Sequence, residues 1–509
     1  MAGSVPVSWT KSICIPVHKK GSKQKCSNFR GISLIQVVVK VLESILAQRM
    51  NNFRERRIRE EQCGFRRGRS CIDHIFTVRQ TLEVRKAFCV PTLACFLDIK
   101  GAFDSVDRKR LWEILLEAGV PVKIVELIKS MYSHQSTVVR AHGGLSEEFC
   151  PMTGVWQGAV LSPQLFTWVV DRIVKEAICV SNSFRGVELG DDVCIKTLEY
   201  ADDLVVFADS SDQLQGFLDC LEVAAGRDGL QFSPQKCAML VQDVASNVLP
   251  VKIANVVIPV VDRFVYLGSM IQAGGKADAE VSRRVGLASS VMRSLKHMWA
   301  SKTISLKVKG RVYEACVRSV LLYGSETWTL TKAMLNAISV FDSQCLRWIS
   351  HIRWQDFVSN VEVQERVFGD RSKEVGDITK VVFERELRWL GHVARMEEGR
   401  LPLKVLSCKA KGSWRRPVGG SGLHWRKMIK DLTDPLCRDG RGRVSFVQTG
   451  ERRFNFRPWL NFVGMFAADR SLWRTITRCI CQRESMNLIG DVALLRDSVV
   501  GLRARSRRR

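Results

Sequence analysis

The chain has 509 residues and a formal net charge of +26, from 78 Lys and Arg against 52 Asp and Glu. Its 46% hydrophobic and 26% charged content excludes wholesale disorder and suits two to four folded domains. No stretch reaches the ~20 uninterrupted apolar residues of a membrane-spanning helix, and the excess of cations favours a polyanionic partner whose phosphates shed counterions on contact.

The opening MAGSVPVSWTKS lacks the apolar core of a secretion signal, so the seventeen scattered cysteines are expected to be reduced intracellular thiols. Residues 37–50 have helical spacing after a turn at Gly31. Residues 92–97 (TLACFL) read as a short buried strand and 108–118 as the helix after it. Residues 163–178 are helical and mostly apolar. Residues 196–208 (KTLEYADDLVVFA) look like two strands with acidic residues at the turn, and 212–226 like an amphipathic helix. The spacing predicts the clearest helix over 280–300, where Val281, Val285, Ala288, Met292, Leu295 and Trp299 form an apolar seam. Arg283, Arg284, Arg293 and Lys296 lie off it. This order suits an α+β domain with an antiparallel sheet backed by helices.

Charge is uneven along the chain. Residues 401–509 hold 24 Lys and Arg against 8 Asp and Glu, which places a boundary near residue 400. Gly- and Arg-rich connections follow at 411–422 and 438–443. The final RARSRRR reads either as a solvated end or as a nucleic-acid or nuclear-import contact.

Two places put carboxylates where a packed core would reject them. Asp98 ends an apolar strand in CFLDIKGAFDSVD, and Asp202 and Asp203 are adjacent in YADDLVVF. Buried without partners they would be costly, whereas a turn can hold them at a solvated edge. If the Asp98 strand lies alongside, the three converge into hard oxygen ligands of the kind Mg²⁺ takes, with positions left for water and phosphate. Two such ions about 3.5–4 Å apart activate an attacking hydroxyl and stabilise a leaving pyrophosphate. An Asp-Asp pair taken alone is more often just a turn.

Seven ordered blocks resolve that ambiguity: KKGSKQKCSNFRGISLIQVVVKVLE, EEQCGFRRGRSCIDHIF, FLDIKGAFDSVDRKRLW, GVWQGAVLSPQLF, YADDLVVFA, GLQFSPQKCAML and FVYLGSMI. Across most of residues 5–400 the chain resembles the reverse transcriptases of non-LTR (LINE-like) retrotransposons. The resemblance implies a right-hand polymerase. Its parts would be fingers over 1–92, a palm over 93–270 with a nucleotide-pocket block at 154–163, a helical thumb and connection over 271–400, and a basic, mostly helical region over 401–509. It implies that Asp98, Asp202 and Asp203 hold two Mg²⁺ ions, with Mn²⁺ a possible substitute, and that Phe103 lies under the sugar and rejects a 2′-hydroxyl. Gln157 and Gly158 would close over the incoming nucleotide. Arg30 and Lys20 (or its neighbour Lys19) would neutralise the triphosphate, and Lys236 would protonate the leaving pyrophosphate. Arg66, Arg67 and Arg69 read as template or triphosphate contacts or as a solvated basic loop. Tyr266 and Gly268 of YLGS resemble a primer-grip hairpin, and Arg284 belongs to the basic face expected to follow the template–primer duplex. The Trp residues of LLYGSETW, RELRWLGHVARM and AADRSLWR could stack on bases, but helical spacing favours core.

The chain departs from the family at Trp156, where Arg is usual, at Gly101, and at Cys237-Ala238 in place of Thr-Lys. It starts inside the fingers region, so the endonuclease domain that usually precedes it is expected to be absent. Cys479-Ile-Cys481 is not a zinc spacing, and Gly275-Lys276 lacks the earlier glycine of a P-loop. The expected function is RNA-directed DNA synthesis from dNTPs on an RNA template, primed by nicked target DNA, with no membrane role. The expected setting is nuclear, with a cytoplasmic ribonucleoprotein phase. The alternative is an inactive nucleic-acid-binding remnant of the same fold.

Overall fold

The computed structural model describes residues 4–19, 21–141, 143–181, 184–244, 249–417, 424–437 and 456–482. The chain divides into two compact units. The first comprises Met1–Cys71, Thr92–Val187 and Ile195–Val261, and the second Ile72–Pro91, Glu188–Cys194 and Asp262–Arg509.

In the first unit, strands β1 (Lys11–His18) and β2 (Phe29–Ile35) pair antiparallel, with Ser12 opposite Ile35 and His18 opposite Phe29. Helix α1 (Val37–Arg57) follows, extending the expected 37–50 helix by two turns. The next helix, α2 (Cys71–Ala87), lies almost wholly in the second unit. Strand β3 (Thr92–Lys100) then forms the centre of the main sheet. Its side chains are buried from Thr92 to Leu97 on both faces, which explains a near-continuous apolar run rather than an alternating one. Asp98 is the first residue to break that burial.

Helices α3 (Arg108–Glu117) and α4 (Val122–Ser133) come next. Asp107 caps α3 by accepting the Arg110 N–H at 3.0 Å. Strand β4 (Ser136–Ala141) joins β1 in parallel, and β5 (Gly144–Leu145) pairs antiparallel with β4. Helix α5 (Ser162–Val180) precedes the hairpin of β6 (Thr197–Tyr200) and β7 (Asp203–Ala208). Helix α6 (Ser211–Arg227) and strands β8 (Gln231–Phe232) and β9 (Ala238–Gln242) follow, and a short hairpin of Lys252–Ile253 and Val256–Val257 ends the unit. In the main sheet β7 lies beside β3 with β6 outside it. On the other edge of β3, β8 and β9 pair at its two ends, all antiparallel. Leu165, Val169, Leu214 and Leu218 of α5 and α6 share one core with Leu97 and Val206 of the sheet. This is the α+β arrangement expected from the element order.

The second unit opens its long C-terminal part with a hairpin of β10 (Arg263–Tyr266) and β11 (Ser269–Gln272). Helix α7 (Asp278–Ser294) follows and stops at Leu295, with a short helix at Lys296–Ala300. The single helix expected over 280–300 is therefore broken. The break lets the buried Trp299 donate its indole N–H back to the Met292 carbonyl at 2.9 Å. The remainder of the unit is helical, including Lys332–Ser350, Ile378–Ala394, Arg457–Ala467 and Arg470–Gln482. Trp328, Trp389 and Trp473 are all buried in its core, so they are not free to stack on bases. No helix among the described residues is long and apolar enough to cross a membrane. The connection at 438–443, the end of the 411–422 connection and the RARSRRR tail lie outside the described residues.

Candidate active site

The main sheet brings the sequence-distant acids together. Asp98 on β3 is directly opposite Asp203 on β7, and Asp203 is opposite Tyr200 on β6. Opposed residues of an antiparallel pair hold their Cβ atoms about 5 Å apart. Asp202 precedes Asp203 in the β6–β7 turn, whose first residue, Ala201, has φ +58°. Burial, then the charges of Asp202 and Asp98, push the Asp203 carboxyl up to about 6. Burial also raises Asp202, with Asp98 adding to the effect, while Arg30 and Lys236 act the other way. Asp98, Asp202, Asp203, Arg30 and Lys236 thus share one electrostatic environment.

Lys236 sits in a short turn, Pro234–Lys236, between β8 and β9, and its Nζ lies 2.7 Å from Asp98 Oδ2. Among the described residues no three Asp, Glu, His or Cys side chains converge closely enough to hold a metal ion. The donor chemistry nevertheless fits a hard divalent cation. The carboxylate oxygens are partly desolvated, and their mutual repulsion is what a cation would relieve.

The block around Gln157 docks on β2. The Ser33 N–H donates to the Gln157 carbonyl at 2.7 Å, and Gly158 has φ +111°. A Cβ on Gly158 would come within 3.2 Å of the Ser33 carbonyl oxygen. Glycine therefore allows the close approach. The same strand carries the exposed Arg30, so the Gln157 block and this cation meet on β2. Lys20 lies outside the described residues, while Lys19 is near enough to Asp104 to oppose the upward shift of its carboxyl. Phe103 stacks on Phe166, with ring centroids 5.1 Å apart and planes at 25°. Its carbonyl accepts the Val155 N–H at 2.8 Å, tying the AFD block to the loop before Gln157.

Two departures from the resembled family prove to be packed inside. Trp156 is 2% exposed and lies 4.8 Å from the Tyr132 ring, and Cys237 is likewise buried.

Arginines of GFRRGRS are largely committed inside the protein. Arg66 is buried, pairs with Glu55 at 2.8 Å and donates to the carbonyls of Arg59 and Gln62. Its guanidinium is used in bracing this loop, which corrects the expectation of a template contact at that position. Arg69 pairs with Glu60 at 2.5 Å and is mostly covered, whereas Arg67 is exposed.

In the second unit, Tyr266 is buried with its hydroxyl 3.1 Å from His74 Nδ1. Gly268 takes φ +74° at the β10–β11 turn. Arg284 is also buried. Its Nε donates to Glu280 at 2.6 Å, its Nη2 donates to the Gly268 carbonyl, and its guanidinium lies 4.5 Å from the Tyr323 ring centroid. Arg284 therefore clamps the hairpin instead of facing a duplex. Glu280 is buried and needs a cation, and that outweighs the off-seam position of Arg284 on α7.

Sequence reasoning missed Gln62, Gly64 and Glu43. Gln62 Oε1 accepts the backbone N–H groups of Gly64 at 2.8 Å and Ala201 at 3.3 Å. Glu43 on α1 accepts the Val160 N–H at 2.8 Å, just after the Gln157 block. The available signal for Glu43 was its place on the helical seam of Val39, Leu46 and Met50. No local pattern marks Gln62.

Residues 17–271, half of the chain, match the family described as reverse transcriptase (RNA-dependent DNA polymerase). The chain is 31% identical over 238 residues to the retrovirus-related Pol polyprotein from type-2 retrotransposable element R2DM of Drosophila melanogaster, which covers 46% of this chain and 22% of that protein. It is 26% identical over 365 residues to the probable RNA-directed DNA polymerase from transposon BS of the same species, covering 68% and 39%. Among solved structures, apo telomerase from Candida tropicalis aligns with 78% of this chain and 69% of its own, at 13% identity and a TM-score of 0.40. The chain spans from about a fifth to two fifths of the length of these two curated relatives.

Proposed function

The chain belongs to the reverse transcriptase (RNA-dependent DNA polymerase) family, and on that footing we propose that it copies RNA into DNA as part of a non-LTR retrotransposon. The substrates are dNTPs, the template is RNA, and the primer is the 3′-hydroxyl of target DNA. The observation that carries this reading is the register of Asp98 against Asp203, with Asp202 in the adjoining turn.

Asp98 and Asp202 are the principal ligands for Mg²⁺, or Mn²⁺ in its place, and Asp203 adds negative charge beside them. The bound ions supply activation of the primer hydroxyl and neutralisation of the triphosphate. Arg30, together with Lys20 or its neighbour Lys19, neutralises the triphosphate, and Arg offers a bidentate grip. Phe103 supports the sugar and excludes a 2′-hydroxyl, and Gln157 and Gly158 line the nucleotide. Lys236 gives its proton to the leaving pyrophosphate as general acid. Exposed cations, Arg67 among them, meet the template backbone. Residues 1–92, 93–270 and 271–400 serve as fingers, palm and thumb, and the element works in the nucleus after a cytoplasmic ribonucleoprotein phase.

Primer extension on an RNA template with Mg²⁺ tests the reading. Extension lost in Asp202→Asn but retained in Asp219→Asn, an exposed change on α6, supports it. Nucleic-acid binding with no extension by the wild-type chain points to an inactive remnant.

A further inference from the structure

The turn that carries Asp202 is held by a residue from another block. Gln62 is fully buried. Its Oε1 accepts from Gly64 N at 2.8 Å and from Ala201 N at 3.3 Å. Both partners are obligate donors, so the amide orientation follows from the bonds themselves. Its Nε2 is buried without a partner among the described residues.

The backbone around it is pinned as well. Glu199 N donates to the Glu61 carbonyl and Cys63 N to the Glu199 carbonyl, each at 2.9 Å, so residues 61–63 run alongside β6. Glu199 itself is buried and pairs with Arg59 at 2.5 Å, and Arg59 pairs with Asp171 at 3.0 Å. A Cβ at Gly64 would stand 2.4 Å from Ala201 N, so glycine is required for the approach. Ala201 takes φ +58°, a conformation that any residue with a Cβ adopts at a cost.

We propose that Gln62 is a positioning residue. By bonding the Ala201 N–H it holds Ala201 in the left-handed conformation and so fixes the direction of the Asp202 carboxylate. The proposal rests on the reading of Asp202 as a metal ligand. Gln62 touches neither substrate nor ion and acts only through the turn.

The test compares wild type, Gln62→Met and the double variant Gln62→Met/Ala201→Gly in the full chain. Mn²⁺ binding is followed by electron paramagnetic resonance, alongside extension kinetics and thermal unfolding. Gln62→Met removes the acceptor at nearly constant volume. It is expected to weaken Mn²⁺ binding and lower kcat about tenfold, the worth of roughly one buried hydrogen bond, with the dNTP KM little changed. Glycine takes positive φ without steric cost, so Ala201→Gly is expected to restore much of the loss. A general loss of stability would not be repaired by a second change that loosens the backbone. Wild-type Mn²⁺ affinity in Gln62→Met, or a double variant no better than the single one, overturns the proposal. If Gln62→Met does not fold, Gln62→Asn, one methylene too short for Ala201 N, is expected to show the same defect, and wild-type Mn²⁺ affinity in it overturns the proposal equally. A wild-type chain that binds Mn²⁺ yet extends no primer defeats the polymerase reading, while the Mn²⁺ comparison still decides the role of Gln62.

Discussion

Lys236 Nζ contacts Asp98 Oδ2 at 2.7 Å across 138 residues of sequence, joining the turn before β9 to the strand at the centre of the sheet. The Lys236 side chain is 63% exposed, so solvent screens the pair and it adds little to stability. Its placement is more relevant to chemistry than to folding. Lys236→Met is expected to lower single-turnover extension roughly 10²-fold and to leave the urea unfolding midpoint nearly unchanged. A rate equal to wild type removes Lys236 from the mechanism.

Phe103 is half-buried against Phe166, in the position proposed to reject a 2′-hydroxyl. Phe103→Val shortens the ring to a branched stub. The ratio of ribonucleotide to deoxynucleotide incorporation is expected to rise by about tenfold or more, in line with ~1.4 kcal/mol of lost discrimination. Competition assays with matched rNTP and dNTP pairs measure that ratio. An unchanged ratio would leave Phe103 as packing alone.

Arg284 and Arg293 both lie on α7, and the structure separates them: Arg284 is buried on Glu280, while Arg293 is exposed. Arg284→Ala leaves the buried Glu280 short of its closest cation, and is expected to destabilise the second unit by about 3 kcal/mol. Arg293→Ala is expected to cost under ~0.5 kcal/mol and to reduce the salt dependence of RNA binding slightly. Urea melts and salt-titrated binding isotherms distinguish the two.

Glu43 is buried, with one oxygen on Val160 N and the other without a partner among the described residues. Burial raises its carboxyl to about 7. Between about pH 4.5 and 7 the folded state therefore holds a proton that the unfolded state has already lost. The stability tied to that proton is fully present below the ordinary Glu range near pH 4.5. It is lost as pH rises to about 7. Glu43→Gln keeps an acceptor for Val160 N and cannot ionise. Its stability relative to wild type is expected to be flat below pH 4.5 and to rise to at most about 3 kcal/mol by pH 8. Denaturant melts across that range check it, and a difference independent of pH would contradict it.

Much of the first unit was legible because its signals are local. The apolar run of β3, the YADD turn and the amphipathic α6 each follow from spacing within a dozen residues. Boundaries of α1 and α5 fell short because neither helix starts at a side-chain cap that the sequence could show. The apolar seam gave α7 but not the break at Leu295, which depends on Trp299 folding back onto Met292. The same seam assigned Arg284 to a basic face along the template–primer duplex. A buried acid four residues earlier reverses that assignment, and nothing in periodicity reveals burial of Glu280. Arg66 was misassigned for the same reason, since Glu55 lies in the preceding helix. Gln62 was invisible because its partner, Ala201, is 139 residues away.

The central claim is that Asp98, Asp202 and Asp203 act together to polymerise DNA on RNA. The most direct test is single-nucleotide extension of a DNA primer annealed to RNA, with Mg²⁺, by wild type, Asp98→Asn, Asp202→Asn and Asp219→Asn. Extension by wild type and Asp219→Asn, with at least ~10³-fold loss in the other two, is the expected result. Retained extension in Asp98→Asn or Asp202→Asn, with the fold intact, would contradict it.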